Sequence, residues 1–294
     1  MDIGIVVPQG WTGEYDGWRP EAAWARTVEV AKEAERLGFE SIWLFDHFHT
    51  VPEPTEEITF ESFTALSALA AHTRRVKLGH LVSCASYRNP ALVAKMISTM
   101  DTISGGRMAL GIGAGWKEDE WRAYGYGYPP MKERQKRLAD ALEIAARMFA
   151  GPRATFQGET ASVDDAINIP QPLSRPRPRI VVGGNGRDVT WRLAVRHADE
   201  LNLDNVPPEE LPDARRVLDE RCAEIGRDPK TLALSVHVWW EALDGVDPAP
   251  TIEAYRSAGV DRIMTLVRGA AADVGALERF RDRAVAAGAA LLAA

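Results

Sequence analysis

The regular alternation of strand-like and helix-like segments along the chain is the feature that most restricts its fold. Several of the strand-like segments are continuous apolar runs, as expected for strands buried on both faces. The eight candidate strands are residues 3–8, 41–45, 76–82, 107–112, 179–182, 200–203, 232–238 and 262–267. Alternation with helical segments is typical of a parallel sheet with crossover helices. Eight such units predict an α/β fold, a (β/α)8 TIM barrel.

The length of the chain and one irregular segment complete this prediction. A barrel of this type takes about 250 residues, so a chain of 294 residues predicts a single domain over residues 1–294. Residues 151–178 contain no helix large enough to be a barrel helix, and four prolines fall in their last nine positions. We expect an insertion at the rim, with a short hairpin over residues 155–163. Such an insertion often covers the site of a barrel enzyme, and whether this one closes over a ligand stays open.

Charge and cysteine content restrict the partners and the compartment. The net charge of -7 argues against nucleic acid as the main partner, because a phosphate-binding face needs an excess of Lys and Arg. No run of eighteen apolar residues occurs, so we expect no membrane span. Cys84 and Cys222 are far apart, and the start of the chain lacks the pattern of a signal peptide. The sequence therefore predicts a reduced, cytoplasmic protein.

Polar residues follow the second predicted strand, at the end of the barrel where enzymes of this fold carry their chemistry. Asp46 and His47 come directly after that strand. A histidine there is able to give or take a proton near neutral pH, which makes His47 a candidate catalytic residue. The alternative is structural: Asp46 caps or orients the loop, and His47 only hydrogen-bonds to it.

Spaced glycines end the fourth predicted strand. Gly111, Gly113 and Gly115 alternate with other residues, and Trp116 follows. Without Cβ atoms, this backbone is open to close approach by a flat or phosphorylated ligand, although glycines also serve tight strand-to-helix turns. A GxGxxG dinucleotide fingerprint is not matched, because Trp116 stands where the third glycine belongs.

A second glycine-rich loop follows the fifth predicted strand and precedes a helix. Backbone N–H groups at such a helix start, together with an arginine, suit a phosphate group, and the alternative is a plain tight turn capped by Asp188. The candidate residues of this loop are Gly183, Gly184, Asn185, Gly186 and Arg187. Farther along, strand alternation puts His237 and Trp239 on one face of the seventh predicted strand, and which face remains open.

Three stretches together carry a family resemblance: residues 37–48 (LGFESIWLFDHF), residues 78–130, which include LGHLVSCASYRNP and GGRMALGIGAGWKEDEW, and residues 177–199 (RPRIVVGGNGRDVTWRLAVRHAD). With them, nearly the whole chain resembles the bacterial luciferase-like monooxygenase superfamily and, within it, the F420-dependent oxidoreductases. The resemblance implies a barrel of the luciferase-like type that binds coenzyme F420 and forms a homodimer.

The resemblance also implies roles for individual residues. Leu81 and Val82, with Ser83 beside them, match the strand-three bulge that in relatives holds a non-prolyl cis peptide behind the flavin or deazaflavin ring. Asp46 matches an aspartate that contacts the ring system, and His47 matches a proposed proton-transfer residue. The remaining matches line the ring and side chain or hold the phosphate: Gly113, Ala114, Gly115 and Trp116 for the first role, and Gly183, Gly184 and Asn185, extended by Gly186 and Arg187, for the second.

One position departs from the family pattern. In F420-dependent sugar-phosphate dehydrogenases, the residue after the strand-four glycines is a glutamate that acts as an acid, and here it is Trp116. We therefore expect a less polar substrate than a sugar phosphate. Tryptophans near several strand ends suit a flat apolar molecule: Trp11, Trp18, Trp116, Trp239 and Trp240.

The expected function is hydride transfer between F420 and a small, apolar or aromatic organic substrate. One alternative is an FMN-dependent monooxygenase of the same superfamily, which uses oxygen. Another is a flavin-binding protein without turnover, in which His47 is structural. A metal-dependent barrel hydrolase needs clustered His and Asp ligands, and the sequence lacks such a cluster, so we expect no metal.

Overall fold

A ring of parallel strands forms the centre of the computed structural model, which describes residues 1–243 and 246–292. The strands are β1 (Asp2–Val6), β2 (Ser41–Leu44), β3 (Lys77–His80), β4 (Ser83–Cys84), β5 (Ala109–Gly113), β6 (Arg153–Gln157), β7 (Ser162–Ile167), β8 (Arg179–Gly183), β9 (Glu200–Asp204), β10 (Ala233–His237) and β11 (Arg262–Leu266). Nine of them form one sheet in the order β3-β2-β1-β11-β10-β9-β8-β5-β4, and its neighbouring strands pair in parallel.

The sheet closes on itself where β3 and β4 meet. β4 pairs with β5, and a parallel bridge joins Leu78 of β3 to Met108 just before β5. β3 and β4 are thus two halves of one barrel strand, so the barrel has eight strands. Each corresponds to one of the eight predicted strands, so the predicted barrel is confirmed.

Helices surround the barrel on its outer face. They are α1 (Pro20–Arg36), α2 (Ser62–His72), α3 (Pro90–Ser104), α4 (Glu118–Ala123), α5 (Met131–Ala150), α6 (Thr190–His197), α7 (Leu211–Glu224), α8 (Ala249–Ser257), α9 (Gly269–Ala272) and α10 (Gly275–Ala286). Local sequence sets their ends: the Asn89 side chain accepts hydrogen bonds from the first amides of α3, and Gly38, with φ of +85°, follows α1. Within the described ranges, no helix is both long and apolar enough to cross a membrane.

Alternation along the strands builds two apolar layers. In β1, Ile3 and Ile5 belong to the core between barrel and helices, whereas Val6 belongs to a smaller cluster with Trp43 and Met264. Burial of each such aliphatic side chain contributes about 1.5–3 kcal/mol relative to exposure. The apolar strand runs therefore stabilise the barrel on both of its faces.

Charged residues fill the barrel at the end where the strands begin. Arg262 donates to Glu40 at 2.7 Å and to Glu200 at 3.0 Å, and all three side chains are buried. Burial alone would raise the pKa of Glu40, but Arg262 and Lys77 hold it below its ordinary value. This packed ionic cluster occupies the N-terminal end of the barrel, and the large cavity lies at the other end.

Residues 151–178 contain the predicted hairpin, formed by β6 and β7. The segment follows α5, which runs back along the outside of the barrel. It packs against the barrel helices: the Asn168 side chain donates to Ser98 of α3 at 2.9 Å and to the Met148 carbonyl of α5 at 2.7 Å. None of residues 151–178 lines the cavity described below. The segment therefore packs away from the cavity, because a segment that follows a barrel helix starts at the opposite end from the strand-end loops.

Candidate active site

A cavity of about 860 Å³ opens at the C-terminal ends of the strands. Its wall takes residues from the loops after β1, β2, β5, β8, β10 and β11, so it sits where barrel enzymes place their chemistry. Most of the predicted site residues lie in this wall: Asp46, His47, Leu81, Val82, Gly113, Ala114, Gly115, Trp116, Gly183, Gly184, Asn185 and Gly186. Ser83 and Arg187 do not.

The bulge between β3 and β4 contains a cis peptide bond between Leu81 and Val82, as the family resemblance implies. Neighbouring strands hold it on both sides: the Leu81 amide donates to the Leu44 carbonyl at 2.8 Å, and the Ser83 hydroxyl donates to the Gly111 carbonyl at 2.6 Å. The Ser83 side chain is therefore used in holding the bulge rather than in lining the cavity.

Two of the predicted glycines make room for this bulge. A Cβ on Gly113 would lie 2.9 Å from Cγ2 of Val82, and a Cβ on Gly183 would lie 2.7 Å from the same atom. Both distances are shorter than van der Waals contact, so close packing of the chain on itself requires glycine at each position. Gly184 differs, because its φ of +135° is a conformation that favours glycine.

The loop after β8 offers free backbone donors beside the cavity. The amides of Asn185 and Gly186 make no hydrogen bond with any residue in the described part of the chain, and both residues line the cavity just before α6. Successive backbone N–H groups in a loop of this kind suit an anion. Arg187, by contrast, pairs with Asp213 on α7. The predicted phosphate loop thus presents backbone donors, while its arginine is engaged elsewhere.

Asp46 lies in the cavity wall, but its carboxylate is fully occupied by protein donors. Arg88 donates to both oxygens, at 2.8 and 2.9 Å, and the Ser62 hydroxyl and Cys84 amide add bonds at 2.8 and 2.9 Å. Burial would raise the pKa of Asp46, but Arg88 holds it below its ordinary value. These contacts match the orienting alternative: Asp46 fixes β4 and the adjacent bulge.

His47 is held by a carboxylate that the sequence did not reveal. Nδ1 of His47 lies 2.8 Å from Oε2 of Glu120, a residue with no exposed surface. Glu120 also accepts from the Phe48 amide at 2.9 Å and the Tyr87 hydroxyl at 3.3 Å. The His47 ring stacks on Trp11, with centroids 4.3 Å apart and planes 4° apart. Because the carboxylate accepts at Nδ1, the other ring nitrogen is left for a ligand.

A second imidazole and carboxylate face the same cavity. Nδ1 of His237, at the end of β10, lies 3.0 Å from Oδ1 of Asp204, which also accepts from Nε1 of Trp239 at 3.0 Å. Burial would raise the pKa of Asp204, but the hydrogen bonds from His237 and Trp239 lower it. His237 thus faces the barrel interior, which settles the question that the sequence left open. Strand alternation could have shown this, since Leu234 and Val236 of the same strand face the helices.

The two long cationic side chains that line the cavity, within residues 1–243 and 246–292, have partners. Lys117 pairs with Asp119 at 2.6 Å, and Arg268 donates to the Thr12 carbonyl at 3.0 Å. Aromatic rings form much of the remaining wall: Trp11, Phe45, Tyr87, Trp116, Trp239 and Trp240. The cavity is therefore mainly apolar, with polar groups at separate places.

A parallel barrel with this cavity and a carboxylate-held imidazole in its wall has the architecture of a (β/α)8 enzyme. The sequence profile of one family, described as luciferase-like monooxygenase, matches residues 1–244. The chain belongs to this luciferase-like monooxygenase family.

Similar proteins include oxidoreductases of two kinds. An F420-dependent glucose-6-phosphate dehydrogenase of Intrasporangium calvum is 31% identical over 256 residues, which cover 80% of this chain and 74% of the relative. The pyrimidine monooxygenase RutA of Stutzerimonas stutzeri is 27% identical, with coverage of 97% and 80%. The structure of an F420-dependent secondary alcohol dehydrogenase with an F420-acetone adduct superposes with a TM-score of 0.78 at 19% identity, over 94% of this chain and 97% of that one. The chain is an oxidoreductase.

Proposed function

We propose that this protein is an F420-dependent oxidoreductase that transfers a hydride between the coenzyme and a small, mainly apolar or aromatic organic substrate. The observation that carries the proposal is the pairing of His47 with the buried Glu120 in the wall of a cavity that also contains the Leu81–Val82 bulge. His47 would then supply the proton-transfer group beside the surface expected to support a flat ring.

The wall residues suit the coenzyme. The bulge at Leu81 and Val82 would support the ring system, and the backbone of residues 113–116 would line its edge and side chain. The amides of Asn185 and Gly186, which have no partner among the residues that the structure describes, would donate to its phosphate. When bound, F420 supplies hydride exchange at C5 of its deazaflavin ring, and the protein supplies position and electrostatics.

His47 would handle the proton that accompanies the hydride. When a carbonyl is reduced, a protonated His47 donates from Nε2 to the substrate oxygen, and in the reverse direction the neutral ring takes the hydroxyl proton. Glu120 keeps the ring oriented and stabilises the charged imidazolium. The stacked Trp11 ring fixes the imidazole plane and covers one of its faces.

The wall favours an uncharged substrate over a sugar phosphate. Lys117 and Arg268 already have partners, and Asp204 adds negative charge to the wall. The phosphate of a sugar phosphate would need a second anion site besides the Asn185 and Gly186 amides, and the cationic side chains of the wall are already paired. We therefore infer that the substrate differs from that of the glucose-6-phosphate dehydrogenase relative.

The similarity to RutA favours one second candidate, a flavin-dependent monooxygenase that uses FMN and oxygen. The two functions separate in a turnover experiment without oxygen. Reduced F420 is mixed with a panel of small aromatic aldehydes and ketones, and oxidised F420 with the matching alcohols. We expect stoichiometric conversion of coenzyme and substrate under argon. No turnover under argon, with turnover in parallel aerated samples that requires FMN and consumes oxygen, would instead identify the monooxygenase.

A further inference from the structure

His237 carries a buried polar atom without a partner. Its Nε2 has almost no accessible surface and makes no hydrogen bond with any residue in the described part of the chain, although the residue lines the cavity. An unpaired buried polar group is costly, so a ligand that completes its hydrogen bond is favoured. Because Nε2 has so little accessible surface, a ligand in the cavity needs a small movement of the surrounding side chains to reach it.

The surroundings of His237 fix which hydrogen bond is missing. Asp204 accepts at Nδ1, so in the neutral ring Nδ1 carries the proton and Nε2 is an acceptor. The Asn185 side chain holds the Asp204 backbone on both sides, with bonds of 2.8 Å to its carbonyl and 2.9 Å from its amide. Asp204, and through it the His237 ring with its acceptor Nε2, is therefore held in position.

An aromatic wall separates this acceptor from the proton-transfer residue. Trp11 stacks on His47, and the Phe45 ring lies 4.5 Å from Trp11 and 5.3 Å from His237. Trp240 meets Trp11 edge to face at 6.3 Å. The cavity wall thus contains two imidazoles that are linked by contacts through the Trp11 and Phe45 rings.

We propose that Nε2 of His237 accepts a hydrogen bond from a hydroxyl or N–H group of the substrate, at the end away from the reacting carbon. The inference deepens the proposed function and rests on it. It defines the substrate as a flat, mainly apolar molecule with a reducible or oxidisable oxygen at the His47 end and a hydrogen-bond donor at the other. The His237–Asp204 pair then determines specificity, while His47 handles the proton of the reaction.

A matched pair of probes tests this inference. 4-Hydroxybenzaldehyde and 4-methylbenzaldehyde have similar shapes, and only the first carries a donor opposite its carbonyl. Their dissociation constants are measured by calorimetry, on the protein alone and with oxidised F420. We expect the wild type to bind the hydroxyl probe about tenfold more tightly than the methyl probe.

Variants locate the effect. His237→Phe should bring the ratio of the two constants close to one, and His237→Gln, which keeps a hydrogen-bonding side chain, should restore part of it. His197→Phe is the matched control, because His197 also lies near a carboxylate, that of Glu143, but outside the cavity. A wild-type ratio near one, no binding of the hydroxyl probe, or an unchanged ratio in His237→Phe would overturn the inference.

Failure of the proposed function gives a different result. In the proposed reaction, reduced F420 passes a hydride to the aldehyde carbon, a proton goes to its oxygen, and the products are oxidised F420 and the alcohol. If F420 does not bind while the probe ratio still depends on His237, the coenzyme assignment fails and the subsite stands. If F420 binds and reduces both aldehydes with equal KM, the subsite fails and the proposed function stands.

Discussion

Nδ1 of His47 lies 2.8 Å from a carboxylate oxygen of Glu120, and the glutamate has no exposed surface. A buried carboxylate in this position fixes the tautomer and the orientation of the ring and stabilises its protonated form. Glu120 is therefore expected to act through His47 rather than by itself.

Substitutions at this pair should lower kcat in a non-additive way. His47→Ala should lower kcat by about 10²-fold or more through loss of the proton-transfer group, and Glu120→Gln by about tenfold. The double variant should be no slower than His47→Ala, because Glu120 has no ring left to orient. Steady-state kinetics and F420 titrations measure this, with the exposed neighbour change Glu118→Gln as control. Additive losses would show that Glu120 acts independently.

Gly183→Ala should destabilise the protein and weaken coenzyme binding. The added methyl group would lie 2.7 Å from Cγ2 of Val82, and a β-branched side chain has little rotameric freedom with which to move away. Overpacking of this kind costs about 1–3 kcal/mol of unfolding free energy.

The double variant Val82→Ala, Gly183→Ala supplies the sharper test, because it removes the methyl groups that meet the new Cβ. It should recover much of the stability that Gly183→Ala loses, as judged by denaturant unfolding. Gly151→Ala is a matched control, because its nearest neighbour would be a carbonyl oxygen at 4.0 Å. Equal losses at Gly183 and Gly151 would refute the packing role of Gly183.

Arg88→Ala should lower the free energy of unfolding by about 3–5 kcal/mol, because it leaves the buried Asp46 carboxylate without its cationic partner. Arg122→Ala breaks an exposed ion pair with Glu118 and should cost less than about 1 kcal/mol. Urea unfolding of both variants provides the comparison. A similar small loss for both would mean that the Asp46–Arg88 pair does not hold the bulge region together.

His80 should make the protein sensitive to acid. It is fully buried against Phe63, with ring centroids 3.9 Å apart, and burial lowers the pKa of His80 from 6.5 to about 4. The unfolded state binds a proton below pH 6.5 and the folded state does so only near pH 4. Stability is therefore complete above the first value and falls toward the second, by up to roughly 3 kcal/mol.

Unfolding free energies measured across this pH range test the assignment. The difference between the wild type and His80→Leu isolates the contribution of His80, because other titrating groups are common to both proteins. We expect the wild type to lose more stability than the variant as the pH falls. Parallel pH profiles would contradict the account.

The sequence predicts the barrel well because its information is local. Apolar strand runs, the Asn89 cap of α3 and Gly38 after α1 depend on near neighbours in the chain, and each has the expected structure. The position of the Leu81–Val82 cis peptide came from the family resemblance, since nothing in the residues themselves requires a cis bond there.

The site is less predictable because its contacts join distant segments. Glu118, Asp119 and Glu120 are equivalent in the sequence, and only the packing of α4 against the loop after β2 buries Glu120 beside His47. The sequence predicts Arg187 as a phosphate ligand, but its side chain pairs with Asp213 on α7. Side-chain partners of this kind require the tertiary structure.

The most direct test of the central claim is a parallel titration of the purified protein with F420 and with FMN, followed by quenching of tryptophan fluorescence. Trp11 and Trp116 lie in the cavity wall and report on its occupancy. The account predicts tight saturable binding of F420 and much weaker binding of FMN. Tight binding of FMN with weak binding of F420 would contradict it and would favour the oxygen-using monooxygenase.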